Sequence, residues 1–237
     1  YMELDLNDTY KLVRQVFGRP QEKLTRESAR SVLDRNAFAN YHFSEILRLS
    51  KAFERNHLAE ARSIFEIQVQ GAEKAEQAFQ LYMIKAGAHS LAAVQSLHAI
   101  PDIFAHAVYF ASGQSLQKHA LDDRDISLPG VVGCLKKDKR FAALSSPLQD
   151  MQSGNGWRHL AAVSNMSKHR SIVRAAYNED WTGTRTQVRE LHVSAFERNG
   201  KAYPAISLQE LLEPEYHRLM NGVINIIQEL NKCLQSA

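Results

Sequence analysis

Apolar residues recur every three or four positions along most of the chain, which is the periodicity of an amphipathic α-helix. The pattern predicts a first helix to about Phe17, a second helix ending near Asn36, a third over 37–56 and a long helix over 58–100. Pro101 lacks a backbone N–H and clashes with the preceding turn, so we expect the long helix to kink or restart there. The new segment is predicted to run to about Ser112.

The second half of the chain alternates loops with helices. The polar stretch 113–130 predicts a loop, and helices are predicted over 135–144 and 157–177. A last helix with an apolar face is expected to start at Pro214, because proline is well suited to the first turn of a helix.

The segment before this last helix has the composition of β-strands. Residues 186–196 are rich in strand formers, and Asn199-Gly200 is a strong signal for a tight hairpin turn. Residues 202–206 form the expected returning strand, and Pro204 favours an edge position. The predicted fold class is therefore mainly α, a helical bundle with a β-hairpin before the C-terminal helix.

A chain of 237 residues can bury its core in one domain. We predict a single helical domain over 1–237. The N-terminal helices and a long pairing helix lie in 1–80, the core helices with the candidate site in 81–181, and the hairpin and C-terminal helix in 182–237. Long helices with apolar faces commonly find a partner, so we also expect a homodimer.

Composition excludes several classes of protein. A net charge of +3 is too small to imply nucleic-acid binding by itself, and the two cysteines, Cys134 and Cys233, have no spacing typical of a metal knuckle or a disulfide framework. No apolar run reaches the length of a membrane span, and the N-terminus lacks an apolar signal core. We expect a soluble cytoplasmic protein with reduced thiols and no membrane partner.

Titratable side chains interrupt two of the apolar helices, and they supply the candidate site. Buried titratable groups are costly unless they are paired, so we expect the two polar lines to face each other or to share a cleft. The first line comprises Gln95, His98, Asp102 and His106, and the second comprises Asn165, Lys168 and His169 within the segment 165–170.

The residue types suit acid–base chemistry on an anionic substrate. His169 would act as general base or acid, Lys168 and Arg170 would hold a phosphate, and Asp102 would orient His98 or His169. Asn165, Arg170 and His106 are the predicted binding residues. Such a site needs no cofactor and no metal.

Three other interpretations of these residues stay open. His98, Asp102 and His106 share one helical face and suggest a metal site, but their span of about 12 Å is too long for one ion. The same groups could bind an anionic ligand without chemistry. They could also form a polar network that only fixes how two core helices pack.

The segment Asn165-Met166-Ser167-Lys168-His169-Arg170 is similar to an Asn-x-x-Lys-His-Arg signature of uncharacterised bacterial all-helical proteins. In these proteins a His-x-x-x-Asp pattern precedes the signature, as His98 and Asp102 do in this chain, and the likeness covers roughly residues 80–237. Such proteins resemble the HEPN helical bundles, which include toxin and antiphage ribonucleases and non-catalytic binding versions. Arg35 and His42, with six residues between them, also fit the Arg…His signature of HEPN proteins, although the family usually places it on a late core helix.

The resemblance implies a HEPN-like RNA-interacting protein of a bacterial defence or toxin system, with metal-independent ribonuclease activity as its enzymatic form. The alternative is a non-enzymatic scaffold or interaction protein whose polar cluster locks the bundle.

Overall fold

The computed structural model describes residues 6–58, 63–69, 73–183 and 188–236. Within them it confirms a mainly α fold with short antiparallel strands before the C-terminal helix. The helices are α1 (Asn7–Phe17), α2 (Arg19–His57), α3 (Ile64–Val69), α4 (Glu73–Ala111), α5 (Leu128–Lys137), α6 (Ser145–Asp150), α7 (Asn155–His169) and α8 (Leu208–Gln235). The strands are β1 (Ala175–Glu179), β2 (Arg189–Val193), β3 (Phe196–Arg198), β4 (Lys201–Tyr203) and β5 (Ile206–Ser207).

The predicted hairpin is present as β3 and β4, which pair antiparallel around a two-residue turn. Asn199 and Gly200 both adopt positive φ angles, 52° and 70°, which is what a tight hairpin turn requires and what these two residue types tolerate. A second sheet has the strand order β1-β2-β5, again antiparallel. The predicted strand over 186–196 is thus divided between β2 and β3, and its first two residues lie outside the described ones.

Two prolines lie inside helices: the last helix begins before Pro214, where its start was predicted, and the long helix continues through Pro101, where a kink or a restart was predicted. Pro101 is in the interior of α4, and Pro214 is in the interior of α8. Proline removes one backbone hydrogen bond, but Ile100, Phe104 and Val108 around the first site are buried, and their burial offsets that loss. None of the described helices, α4 included, is long and apolar enough to cross a membrane.

Other helix boundaries also differ from the prediction. α2 is one continuous helix rather than two that meet near Asn36, and the predicted helix over 58–100 corresponds to α3 and α4, with 59–62 and 70–72 outside the described residues. α5 begins inside the predicted loop 113–130, because the Ser127 side chain accepts a hydrogen bond from Gly130 N at its first turn. It ends at Lys137, so the predicted helix over 135–144 is wrong.

The largest correction concerns the predicted helix over 157–177, which ends at His169. Residues Ala175–Glu179 form β1 instead, and every one of them pairs with a residue of β2. A propensity for helix is weak compared with a full ladder of backbone hydrogen bonds, so the strand pairing decides the conformation here.

The chain divides into two compact units. The first unit contains the described residues up to Asn36, His98–Arg158 and those from Glu215 onward, and the second unit contains Ala37–Leu97 and His159–Pro214. The boundaries fall inside α2, α4, α7 and α8. Folding as a single domain stays a prediction.

Each unit has its own buried core. In the first unit the core includes Phe104 and Tyr109 of α4, with Leu135 of α5 and Leu148 of α6. The Tyr109 hydroxyl, at the edge of this core, accepts a hydrogen bond from Leu121 N at 2.8 Å. In the second unit four aromatic rings pack together: Phe53 is stacked on Tyr82 at a centroid distance of 5.0 Å, Tyr177 is edge-on to both, and Phe79 is tilted against both.

A buried ion pair fixes one end of the first unit. Glu215 is buried, and both Nε and Nη2 of Arg218 donate to its Oε2, at 3.0 and 2.7 Å. The same guanidinium donates to the carbonyl oxygens of Asp150 and Met151, at 3.1 and 2.9 Å, where α6 ends. One side chain therefore neutralises a buried carboxylate and satisfies two carbonyls at a helix end.

Gly156→Ala tests how tightly this carboxylate is enclosed. A Cβ at residue 156 would overlap Oε1 of Glu215, which Arg218 holds in place, so we expect the free energy of unfolding to fall by about 1–3 kcal/mol. Gly133→Ala in α5 is the matched control, because a Cβ there meets nothing within 4 Å. Urea denaturation should show a stability for the control that is unchanged or slightly raised; equal effects at both positions would contradict the proposed enclosure.

Candidate functional site

The C-terminal end of α7 presents the second predicted polar line to solvent. Lys168, His169 and Arg170 are exposed, and Asn165 is half-buried one helical turn before His169 on the same face. The helix ends here because Arg170 N and Ser171 N both donate to Met166 O at 3.0 Å. The Ser167 hydroxyl then accepts from Val173 N at 3.1 Å, which fixes the turn into β1.

The end of this line lies at the surface because the helix is shorter than predicted. The predicted helix over 157–177 continues past these residues, but α7 ends at His169. Lys168 and His169 therefore project where the helix stops, without a further apolar turn to cover them.

Four neighbouring side chains make this end basic, and we call Lys168, His169, Arg170 and Arg174 the α7 basic end. All four are exposed. Within the part of the chain that the structure describes, no carboxylate lies within ion-pair distance of them. Cations at a helix C-terminus, as Lys168 and Arg170 are here, complement the partial negative charge of the last carbonyls. That local role leaves the charged groups accessible to an anionic ligand.

The first predicted line lies on α4, and its carboxylate has structural contacts. Asp102 Oδ1 accepts hydrogen bonds from Leu128 N and from Gln152 Nε2, both at 3.3 Å. Leu128 is the first residue of α5, where backbone N–H groups lack partners within the helix. Asp102 therefore anchors the start of α5 within the first unit.

The two histidines of this line contact aromatic rings. His98 stacks on Trp157 with a centroid distance of 5.4 Å and an interplanar angle of 2°. His106 lies near Phe110 at a centroid distance of 6.3 Å, and both histidines are half-buried.

The boundary between the two units falls within the first line, because Gln95 is in the second unit. His98, Asp102 and His106 are in the first unit, and Asn165, Lys168, His169 and Arg170 are in the second. That the two lines face each other or share a cleft stays a prediction.

Sequence reasoning missed a pair of histidines in the second unit. The Nδ1 atoms of His42 on α2 and His89 on α4 are 2.8 Å apart. The ring of Tyr41 stands edge-on to both imidazoles, at centroid distances of 5.2 and 6.2 Å. Burial, together with the neighbouring His89, lowers the pKa of His42 below its ordinary value. The sequence places each of these histidines in a predicted helix, but it does not show that the two helices are neighbours.

A buried histidine on α7 also escaped the prediction. His159 is buried against the hairpin, with ring centroids 5.9 Å from Phe196 and 5.3 Å from Tyr203. Its burial lowers the pKa of the imidazole below its ordinary value of 6.5. The neutral ring therefore serves as an aromatic packing group for β3 and β4.

Neither thiol belongs to a cluster of three or more metal-ligating side chains in the part of the chain that is described. Cys134 and Cys233 are free and half-buried, and burial raises the pKa of both. No group of three or more His, Cys, Asp or Glu side chains in 6–58, 63–69, 73–183 and 188–236 could hold a metal ion.

Comparison of the chain with protein-family models, curated proteins and solved structures gives no match. The HEPN-like relationship therefore stays a prediction from the residues quoted above.

We expect His159 to make stability depend on pH. The unfolded chain takes up a proton near pH 6.5, whereas the buried imidazole resists protonation, so the free energy of unfolding is highest above this pH and falls as the pH decreases below it. His159→Phe keeps the ring and removes the titration, so urea denaturation at about pH 7.5 and about pH 5.5 should show a smaller fall than in the wild type. His119→Gln, at an exposed turn residue, should keep the wild-type fall. Equal falls in all three proteins would contradict the assignment.

Proposed function

We propose that this chain is an RNA-interacting protein of the HEPN-like kind, acting in the cytoplasm in a bacterial defence or toxin system, and that RNA binds at the α7 basic end. The observation that supports the proposal is the exposure of Lys168, His169, Arg170 and Arg174 together, with no described carboxylate neutralising them. Lysine and arginine contacts to phosphate supply most of the affinity of proteins for nucleic acid without regard to sequence.

The same residues have the chemistry for RNA cleavage without a metal ion. A general base takes the proton of a ribose 2′-hydroxyl, the 2′-oxygen attacks the adjacent phosphorus, and the 5′-oxygen leaves and takes a proton from a general acid. His169 would be the base or the acid, and Lys168 and Arg170 would stabilise the charge that develops on the phosphate. Asn165, one turn earlier, offers an amide for a hydrogen bond to the ligand.

The predicted roles of His98, Asp102 and His106 in the site depend on the two polar lines facing each other, and they stay predictions.

The proposal also includes a homodimer. What supports it is the set of large apolar side chains exposed on α2 and α4 within the second unit, namely Phe38, Tyr41, Leu81 and Ile84.

A scaffold without enzymatic activity is the second candidate, and the contacts of Asp102 favour it. A carboxylate that accepts from the first backbone N–H of α5 and from Gln152 is already used to hold helices together. In this interpretation the polar line on α4 has a purely structural role, whereas the α7 basic end has no assigned role.

Removing two charges from the α7 basic end should weaken RNA binding. For Lys168→Ala/Arg170→Ala we expect a weaker affinity for single-stranded RNA, and a plot of log affinity against log salt that is shallower by about 1.4, because two phosphate contacts are lost. Fluorescence anisotropy across a salt series measures both. Lys137→Ala/Lys139→Ala, two exposed lysines at and beyond the end of α5, is the matched control and should bind like the wild type. Equal losses in both variants would show that only net charge matters, and would contradict the proposed site.

His169→Ala separates an enzyme from a scaffold. If RNA is cleaved at this site, the variant should lose about a hundredfold or more of the cleavage rate measured in the presence of a chelator, because its general acid or base is gone. Its free energy of unfolding should stay within about 0.5 kcal/mol of the wild type, since the side chain is exposed. His119→Ala is the exposed control. Wild-type protein that binds RNA but never cleaves it would exclude the ribonuclease and retain the binding protein.

A further inference from the structure

We propose that His42 and His89 form a binding site for a divalent transition-metal ion of the kind that prefers imidazole, such as Zn²⁺, with Nδ1 of each ring as the ligand. The ion would join α2 to α4 within the second unit. This site goes beyond the proposed RNA function and uses none of its residues.

The distance between the two ring nitrogens is the first support. Zn²⁺ binds histidine nitrogen at about 2.0–2.1 Å, so two ligands of a tetrahedral ion lie about 3.3 Å apart. The Nδ1 atoms of His42 and His89 are 2.8 Å apart. In the structure the two rings share a hydrogen bond; a bound ion would take the place of its proton, with the two nitrogens about half an ångström further apart and both rings turned towards the ion.

The packing around the rings is the second support. Tyr41 stands edge-on to both imidazoles, with interplanar angles of 64° and 71°, and the imidazoles themselves are 5.1 Å apart. These contacts keep Nδ1 of each ring directed at its neighbour. Both histidines are half-buried, so an ion can reach them from solvent.

The neighbouring charges define what kind of ion fits. Glu45 lies one turn after His42, but Arg48 donates to both of its carboxylate oxygens, at 2.7–3.1 Å, so that carboxylate is already occupied. Among the described residues no third ligand completes a protein-only set, and water would fill the remaining positions. Two imidazoles without carboxylates favour Zn²⁺, Cu²⁺ or Ni²⁺ over Mg²⁺ or Ca²⁺.

Titration of metal-free, untagged protein with Zn²⁺ in a calorimeter tests the proposal. We expect one ion per chain, and an affinity that is weaker by about tenfold or more in His42→Ala and in His89→Ala. His119→Ala should bind like the wild type, because this histidine is exposed in a turn. Circular dichroism spectra check that the helices persist in each variant. No binding by the wild type, or unchanged binding in both variants, would overturn the proposal.

Nitrogen NMR of the histidine side chains identifies the ligand atoms. On addition of Zn²⁺ the Nδ1 resonances of His42 and His89 should move to the position of metal-bound nitrogen while Nε2 of each ring carries the proton, whereas metal-bound Nε2 or binding at other histidines would overturn the assignment. The RNA proposal and the metal proposal can fail separately, because the RNA measurements use the α7 basic end and the chelated protein, whereas the metal measurements use no RNA.

Discussion

A buried charge without a partner destabilises a fold by several kcal/mol, and each unit satisfies this constraint with a few polar contacts. In the first unit Arg218 neutralises Glu215 and satisfies two carbonyls at the end of α6. In the second unit Arg189 lies 3.4 Å from Glu179, and that carboxylate also accepts from Ile64 N, the first residue of α3. In the first unit the arginine of the pair also binds carbonyl oxygens at a helix end. In the second unit the carboxylate of the pair also binds the first N–H group of a helix.

The position of the candidate site follows from a competition between helix and strand for the segment that ends at residue 179. β1 pairs along its whole length with β2, so α7 has to end before residue 175, and its last residues are left at the surface. Two hydrogen bonds to Met166 O and one to the Ser167 hydroxyl fix the turn that follows. The positions of Lys168, His169 and Arg170 are therefore a consequence of strand pairing rather than of the helical periodicity that first drew attention to them.

Local signals in the sequence predicted local structure well. Asn199-Gly200 gave the hairpin turn because these two residue types tolerate positive φ, and the apolar periodicity gave the helical fold class. The prediction of a helix over 157–177 failed because a contact distant in sequence decides the outcome: residues 175–179 form a strand that pairs with β2. The His42–His89 pair needed the same long-range information, because the two histidines are 47 positions apart in the chain.

A structural role and a ligand-binding role require different degrees of side-chain exposure, and the polar residues fall into two groups on this basis. A side chain that locks a bundle must contact what it holds, and Asp102 does so through Leu128 N and Gln152. A side chain that binds a phosphate must instead be accessible and free of a neutralising carboxylate. Lys168 and Arg170 meet that condition among the described residues. Packing therefore accounts for Asp102, whereas the α7 basic end contributes little to packing, which is the reason for placing the proposed anionic ligand there.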